Sequence, residues 1–133
     1  MSSSADLKTR TRDFSLAVIR FYSGLPRETS AQVLGRQLLR SATSVGAQYR
    51  EAQRAKLAAD FVSKSEGALQ ELDETAYWLE LIDGSAMSCG PTVKDLRSET
   101  EQLISIFVSI ITLRPCRSRI RDSMGRGGFM AAC

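Results

Sequence analysis

Apolar residues recur along most of the chain at intervals of three and four, which is the spacing of one face of an α-helix. This pattern predicts four helices, at residues 5–23, 30–55, 57–83 and 92–113, and favours no strand. Gly24-Leu25-Pro26 ends the first helix, and Gly84-Ser85 ends the third. No proline or glycine lies between residues 50 and 59, so the turn between the second and third helices is inferred from length and from a change of charge.

Each predicted helix carries an apolar stripe, and the four stripes are expected to meet in one core. The stripes consist of Leu7, Phe14, Val18 and Phe21; Leu34, Leu38, Ala42, Val45 and Tyr49; Phe61, Ala68, Leu72, Leu79 and Ile82; and Val93, Leu96, Thr100, Leu103, Phe107 and Ile110. Four amphipathic helices with short connections favour an all-α fold, an antiparallel up-down four-helix bundle formed by residues 1–113.

The fourth helix has more apolar surface than one core-facing stripe requires. Surplus apolar surface is commonly buried against another subunit, so we expect a homo-oligomer. The predicted oligomer interface consists of Leu103, Ile104, Phe107, Val108 and Ile111. The alternative is an irregular bundle that buries both faces of this helix internally.

Composition excludes most catalytic chemistry. Among 133 residues there is no histidine, and the three cysteines form no CxxC pair. No Walker loop, GxGxxG or GxSxG occurs, so we expect a non-enzymatic protein without metal or cofactor. The first residues lack the apolar segment of a signal peptide, and the longest apolar run, 103–113, is shorter than the ~20 residues of a membrane span. A cytoplasmic protein that does not contact a membrane is expected.

Charge is distributed unevenly along the chain. Residues 1–56 carry ten Lys/Arg and four Asp/Glu, whereas residues 57–83 carry one Lys and seven acids. Residues 114–133 carry five Arg and one Asp, and their composition predicts a basic, largely disordered tail outside the bundle. This asymmetry favours either an anionic partner for the basic segments or complementary contacts between protomers. A tail that only aids solubility is the alternative for residues 114–133.

The basic residues are the best candidates for a binding function, because clustered Lys and Arg bind phosphate backbones. Lys8, Arg10 and Arg12 crowd the first helix. The predicted nucleic-acid-binding residues are Arg36, Arg40, Arg50, Arg54, Lys56, Arg117, Arg119 and Arg121. The alternative is that these arginines pair with Glu66, Glu71 or Glu74 of the third helix, within a subunit or across an interface.

Three stretches carry a family resemblance: Gly35-Arg-Gln-Leu-Leu-Arg-Ser-Ala-Thr-Ser-Val-Gly-Ala-Gln-Tyr-Arg-Glu-Ala52, Phe61-Val-Ser-Lys64, and Ala68-Leu-Gln-Glu-Leu-Asp-Glu-Thr-Ala-Tyr-Trp-Leu-Glu-Leu81. Over about residues 7–113 the chain resembles the bacterial four-helix-bundle family of the 23S rRNA intervening-sequence protein, also labelled S23 ribosomal protein. Two departures are Gln48, where the family has Asn, and Ala52, where many members have Gly.

The resemblance implies a homo-oligomeric ring, a pentamer in known members. A related branch, the accessory variability determinant proteins of diversity-generating retroelements, implies RNA or DNA and a reverse transcriptase as partners. Two hypotheses follow from charge and resemblance together. The first is a non-catalytic accessory oligomer that binds nucleic acid, RNA or a ribonucleoprotein, through helices one and two and the tail. The second is a structural or protein-interaction oligomer with no nucleic-acid ligand.

Overall fold

The structure of the chain, a computed structural model, describes residues 4–87 and 91–126, with side chains for residues 6–87 and 91–113. These residues form four α-helices: α1 (Ser4–Ser23), α2 (Thr29–Gln53), α3 (Ala58–Gly84) and α4 (Pro91–Arg126). Each helix packs on the next in the chain, and α4 returns to contact α1. The described part of the chain contains no strand. The predicted all-α four-helix fold is therefore confirmed.

The helix boundaries follow the predictions closely up to the start of α4. The connection between α2 and α3, which has no glycine or proline, consists of residues 54–57. The N–H of Arg54 donates to the carbonyl of Glu51, and that of Ala55 donates to the carbonyl of Ala52, so the end of α2 tightens. Leu57 is then extended, with φ −106° and ψ 145°, and α3 begins one residue later. This turn is closed by backbone hydrogen bonds, which the residue types do not reveal.

The fourth helix is longer than its apolar pattern predicts. It ends at Arg126, whereas the pattern places its end near Leu113. Residue 115 is a proline, which removes one backbone hydrogen bond, but a helix can continue past such a position with a bend. Residues 114–126 are thus helical where the sequence predicts a disordered tail, while residues 127–133 of that tail lie outside the described residues.

The predicted stripes meet in the core of the bundle. Almost all of their members are buried, while Leu34, Phe61 and Ile110 are half-buried. The Tyr49 ring of α2 meets the Phe107 ring of α4 edge to face, with centroids 5.6 Å apart. Burial of these side chains is the main force that holds the four helices together.

Small and hydroxylated residues set how closely the helices approach. A Cβ on Gly46 of α2 would lie 3.2 Å from Thr11 Oγ1 of α1. On the other side of α2, Ser41 Oγ and Thr75 Oγ1 share a buried hydrogen bond of 2.8 Å. Thr75 also donates to the carbonyl of Glu71. These contacts fix the register of α2 against both neighbours.

Within the part of the chain that the structure describes, no helix combines the length and the apolar character of a membrane-spanning segment.

Candidate nucleic-acid interface

The register between α1 and α2 places the basic residues of the two helices side by side. Thr11 lies beside Gly46, and Ser15 Oγ lies 3.4 Å from the Ala42 carbonyl oxygen. The two residue numbers in each pair add up to the same value, as they must in an antiparallel pair. The same register puts Lys8 level with Tyr49, next to Arg50, at the end of the bundle where α1 begins and α2 ends.

Along α2, the arginines follow the exposed side of the helix. Arg36 and Arg54 are 18 residues apart, which is five helical turns, so they lie on the same side about 27 Å apart. Arg50 is about one turn before Arg54. All three are exposed, and between them Thr43 and Ala47 are small. The outer surface of α2 is therefore a low, even ridge with cations near both ends.

We call the group of Lys8, Arg50, Arg54 and Lys56 the basic end. All four side chains are exposed. No ion pair to any of them occurs among the residues with described side chains. The one carboxylate within α2, Glu51, lies 2.7 Å from Lys64 of α3. The basic end is thus a positive surface that the bundle itself does not neutralise.

Other cations of the bundle are neutralised where helices meet. Arg10 of α1 donates two hydrogen bonds to Glu99 of α4, at 2.6 and 2.8 Å, and these bonds raise the pKa of Arg10 above its ordinary value. Arg97 Nη1 donates a hydrogen bond of 2.8 Å to Asp83 Oδ2, and Lys94 Nζ lies 3.6 Å from the same oxygen. The Arg97 hydrogen bond lowers the pKa of Asp83. These pairs fasten α4 to α1 and to α3.

Arg40, predicted to bind nucleic acid, is held by α3. Its Nη2 lies 2.6 Å from Glu74 Oε1 and 3.3 Å from Glu71 Oε1. The first contact is a hydrogen bond. The second is close enough for an ion pair but is not aligned as a hydrogen bond, so Glu71 Oε1 is buried without a hydrogen-bond partner among the described residues. For Arg40 the structure therefore shows the alternative, intrasubunit pairing.

The predicted tail residues Arg117, Arg119 and Arg121 have side chains outside the described residues. The backbone of residues 114–126 continues α4. Because Phe107 packs on Tyr49, α4 runs toward the end of the bundle at which α2 terminates. The arginine-rich part of the chain therefore leaves the bundle on the side of the basic end.

The chain is similar to known proteins in both sequence and fold. The sequence model of the family described as 23S rRNA-intervening sequence protein matches residues 4–109. The chain belongs to this family. A solved structure, a protein of unknown function from the S23 ribosomal protein family of Bacteroides thetaiotaomicron, is 32% identical with a TM-score of 0.76. The match covers 82% of this chain and 97% of that one. None of the functionally curated proteins is significantly similar to the chain.

In this member of the 23S rRNA-intervening sequence protein family, two of the five predicted interface residues belong to the core. Leu103 and Phe107 are both 0% exposed within a single chain. A side chain that is fully enclosed by its own bundle has no surface to offer a second copy, which corrects the prediction for these two. Ile104 and Ile111 are half-buried, and Val108 is 46% exposed. The apolar surface that remains on α4 is therefore narrower than the sequence pattern indicates.

This family member also has a cleft that the sequence pattern does not reveal. It lies between the end of α1 and the start of α4, has a volume of about 560 Å³, and is lined in part by Phe21, Leu96, Arg20 and Asp95. One cation and one carboxylate give the cleft no excess of either charge. It lies at the opposite end from the basic end and adds nothing to it.

No group of metal-ligating side chains occurs among the described residues. Three buried polar atoms in that part of the chain lack a hydrogen-bond partner: Ser65 Oγ, Glu71 Oε1 and Trp78 Nε1. They lie along α3, and no nucleophile–base pair is formed among them. At the basic end, the residue types were predicted from sequence, whereas which of the cations stay unpaired was not.

Proposed function

We propose that this protein is a non-catalytic homo-oligomer that binds nucleic acid, as RNA or within a ribonucleoprotein, through the basic end. The observation that carries the proposal is the division among the cations. Those at helix–helix seams, such as Arg10, Arg40 and Arg97, are paired with carboxylates. Those at the basic end have no such partner among the described side chains and face solvent.

Four exposed cations, Lys8 and Arg50 on helices and Arg54 and Lys56 in the turn that follows α2, suit a phosphate backbone. Each phosphate that a cation neutralises releases condensed counterions, and this release makes affinity fall steeply with salt. Arg117, Arg119 and Arg121 stay predicted contacts, since their side chains lie outside the described residues.

A fluorescence-anisotropy titration with an RNA hairpin tests the proposal. If each of the four cations contacts one phosphate, raising the salt from about 50 mM to about 200 mM should weaken binding between about 50-fold and 150-fold. Arg50→Ala combined with Arg54→Ala should weaken binding at low salt. The control is Arg20→Ala combined with Arg27→Ala, which removes two exposed cations from the opposite end and should bind as the unmodified protein does. An absence of binding at low salt would refute the proposal.

Self-association is the second part of the proposal. Val108 of α4 is 46% exposed, beside half-buried Ile104 and Ile111. In addition, Asp60, Glu66, Asp73 and Glu80 of α3 are exposed, so the outer face of the bundle at α3 is opposite in charge to the basic end. Apolar contact on α4 and charge complementarity between copies both favour assembly, and the family resemblance favours a ring of five.

Val108→Asp is the variant that tests assembly. It places a charge on the exposed apolar strip of α4 and should shift the oligomer toward smaller species in analytical ultracentrifugation. Val33→Asp is the matched control, because Val33 is 50% exposed on α2, away from this strip. A wild-type protein that sediments as a monomer at high concentration would contradict the homo-oligomer.

The alternative function, a protein-interaction oligomer without a nucleic-acid ligand, is favoured by the same opposite charges on the basic end and α3. It predicts that salt dissociates the assembly while nucleic acid has no effect on it. The reverse transcriptase that the resemblance implies as a partner, and the cytoplasmic location, stay predictions.

A further inference from the structure

Among the described side chains, no aromatic ring is strongly exposed at the basic end. On α1 and α2, Phe14, Phe21 and Tyr49 are buried, and Tyr22 is half-buried. The one strongly exposed aromatic side chain among the described residues, Tyr77 at 54%, lies on α3.

The two aromatic residues nearest in sequence to the basic end give no platform either. Tyr49 directly precedes Arg50 but is buried. Phe61 follows Lys56 by five residues, and its side chain is half-buried in the first turn of α3. Within the described side chains, the basic end therefore presents positive charge and aliphatic stems, with no exposed ring on which a base can stack.

A positively charged surface without an exposed aromatic ring favours double-stranded over single-stranded nucleic acid. Proteins that bind single strands pair a positive groove with aromatic side chains on which successive bases stack. In a duplex the bases are already stacked on one another, and positive side chains that reach phosphates position a protein without reading sequence. A surface of unpaired cations without rings suits the duplex.

The shape of the surface agrees with this. Lys8 and Arg50 stand on two packed helices, and Arg54 and Lys56 lie in the connection that follows α2. The small side chains of Thr43 and Ala47 lie on the line from Arg36 to Arg54. A stiff duplex can lie along such a ridge and present phosphates at fixed spacings. A flexible strand would first have to be ordered, which costs free energy that this surface has no stacking contacts to offset.

We infer, building on the proposed function, that the ligand of the basic end is double-helical nucleic acid, held at its phosphates without preference for base sequence. The contacts come from Lys8, Arg50, Arg54 and Lys56, and Arg36 extends them along α2. Base identity enters only through its effect on the shape of the duplex.

The experiment compares three probes of equal length with the full chain: an RNA duplex, a second RNA duplex of unrelated sequence, and an oligouridylate that forms no secondary structure. Anisotropy titrations should give equal affinity for the two duplexes and affinity about tenfold lower, or weaker, for the single strand. Arg50→Ala combined with Arg54→Ala should reduce the slope of log affinity against log salt by about two for the duplex. The Arg20→Ala, Arg27→Ala control should leave that slope unchanged.

The possible outcomes distinguish a failure of this inference from a failure of the proposed function. Single-strand affinity equal to or above duplex affinity overturns the inference while nucleic-acid binding stands. A large difference between the two duplexes also overturns it, because that result requires base readout. If none of the three probes binds at low salt, the proposed function itself fails.

Discussion

Gly35 lies where α2 passes closest to the end of α1, and the residue is buried. A Cβ at this position would lie 2.7 Å from Tyr22 Cδ1, 2.8 Å from Tyr22 Cε1 and 2.9 Å from Leu25 Cδ1. Gly35→Ala therefore forces one methyl group into space that the tyrosine ring and the leucine already occupy.

Neither neighbour can move aside at no cost. The Tyr22 hydroxyl lies 3.1 Å from Gln32 Oε1 in a hydrogen bond, and Leu25 is only 8% exposed. Overpacking of this kind costs about 1–3 kcal/mol, and the better helix propensity of alanine returns about 1 kcal/mol. With both neighbours held, we expect Gly35→Ala to lower the free energy of unfolding by about 1–2 kcal/mol.

Urea denaturation followed by far-UV circular dichroism measures this change. The midpoint should fall by about 0.5–1 M, with both proteins at the same concentration because an oligomer is stabilised by mass action. Gly84→Ala is the control, since a Cβ there has nothing within 4 Å, and its midpoint should stay equal or rise.

A second variant identifies the source of the cost. In a Tyr22→Ala background most of the clash is removed, so the Gly35→Ala change should cost less than in the unmodified protein. If Gly35→Ala is as stable as the unmodified chain, or if its cost is the same in both backgrounds, the packing argument is refuted.

Two further predictions concern the seams on either side of α3. Thr75→Val removes the buried hydroxyl that bonds Ser41 and should cost about 1–2 kcal/mol in urea denaturation, whereas Thr112→Val, on exposed α4 surface, should cost little. A cost that is equal at the two positions would contradict this account. The Arg97 hydrogen bond lowers the pKa of Asp83 in the folded chain below its ordinary value of 3.8. The pair therefore stabilises the fold at pH values above 3.8, and this contribution is lost as the pH falls from 3.8 through the lower pKa of the folded chain. The midpoint difference between the unmodified protein and Arg97→Ala should therefore close on acidification, and a difference independent of pH would contradict the pairing.

The helices and their core faces could be predicted from sequence, because a helix that must bury one side repeats its apolar residues with the period of the helix. Val18, Leu38, Leu72 and Leu103 occupy such positions, and each is 0% exposed. The end of α4 could not be found in this way, because beyond Leu113 no apolar stripe marks where a helix stops. For Leu103 the pattern also allowed a place in a subunit interface, and only packing showed that its own bundle encloses it.

The candidate site was predictable as a set of cations but not as a surface. Arg40 and Arg50 are the same residue type on the same helix, ten positions apart. Arg40 lies on the side of α2 that faces the acids of α3, whereas Arg50 turns toward α1, where Lys8 is its neighbour. Whether a charge is neutralised depends on which helix it faces, and that is a property of the packed bundle.

By itself the sequence determined that four helices form, which faces they bury, and that no histidine-based chemistry takes place, because these follow from residue type and local periodicity. The tertiary structure alone decided which cations pair with carboxylates and which of the others lie together at the basic end. The physical reason is that ion pairing acts over a few ångströms, between helices that are distant in sequence. The register and arrangement of the helices, rather than the composition of the chain, therefore determine which charges stay available to a partner.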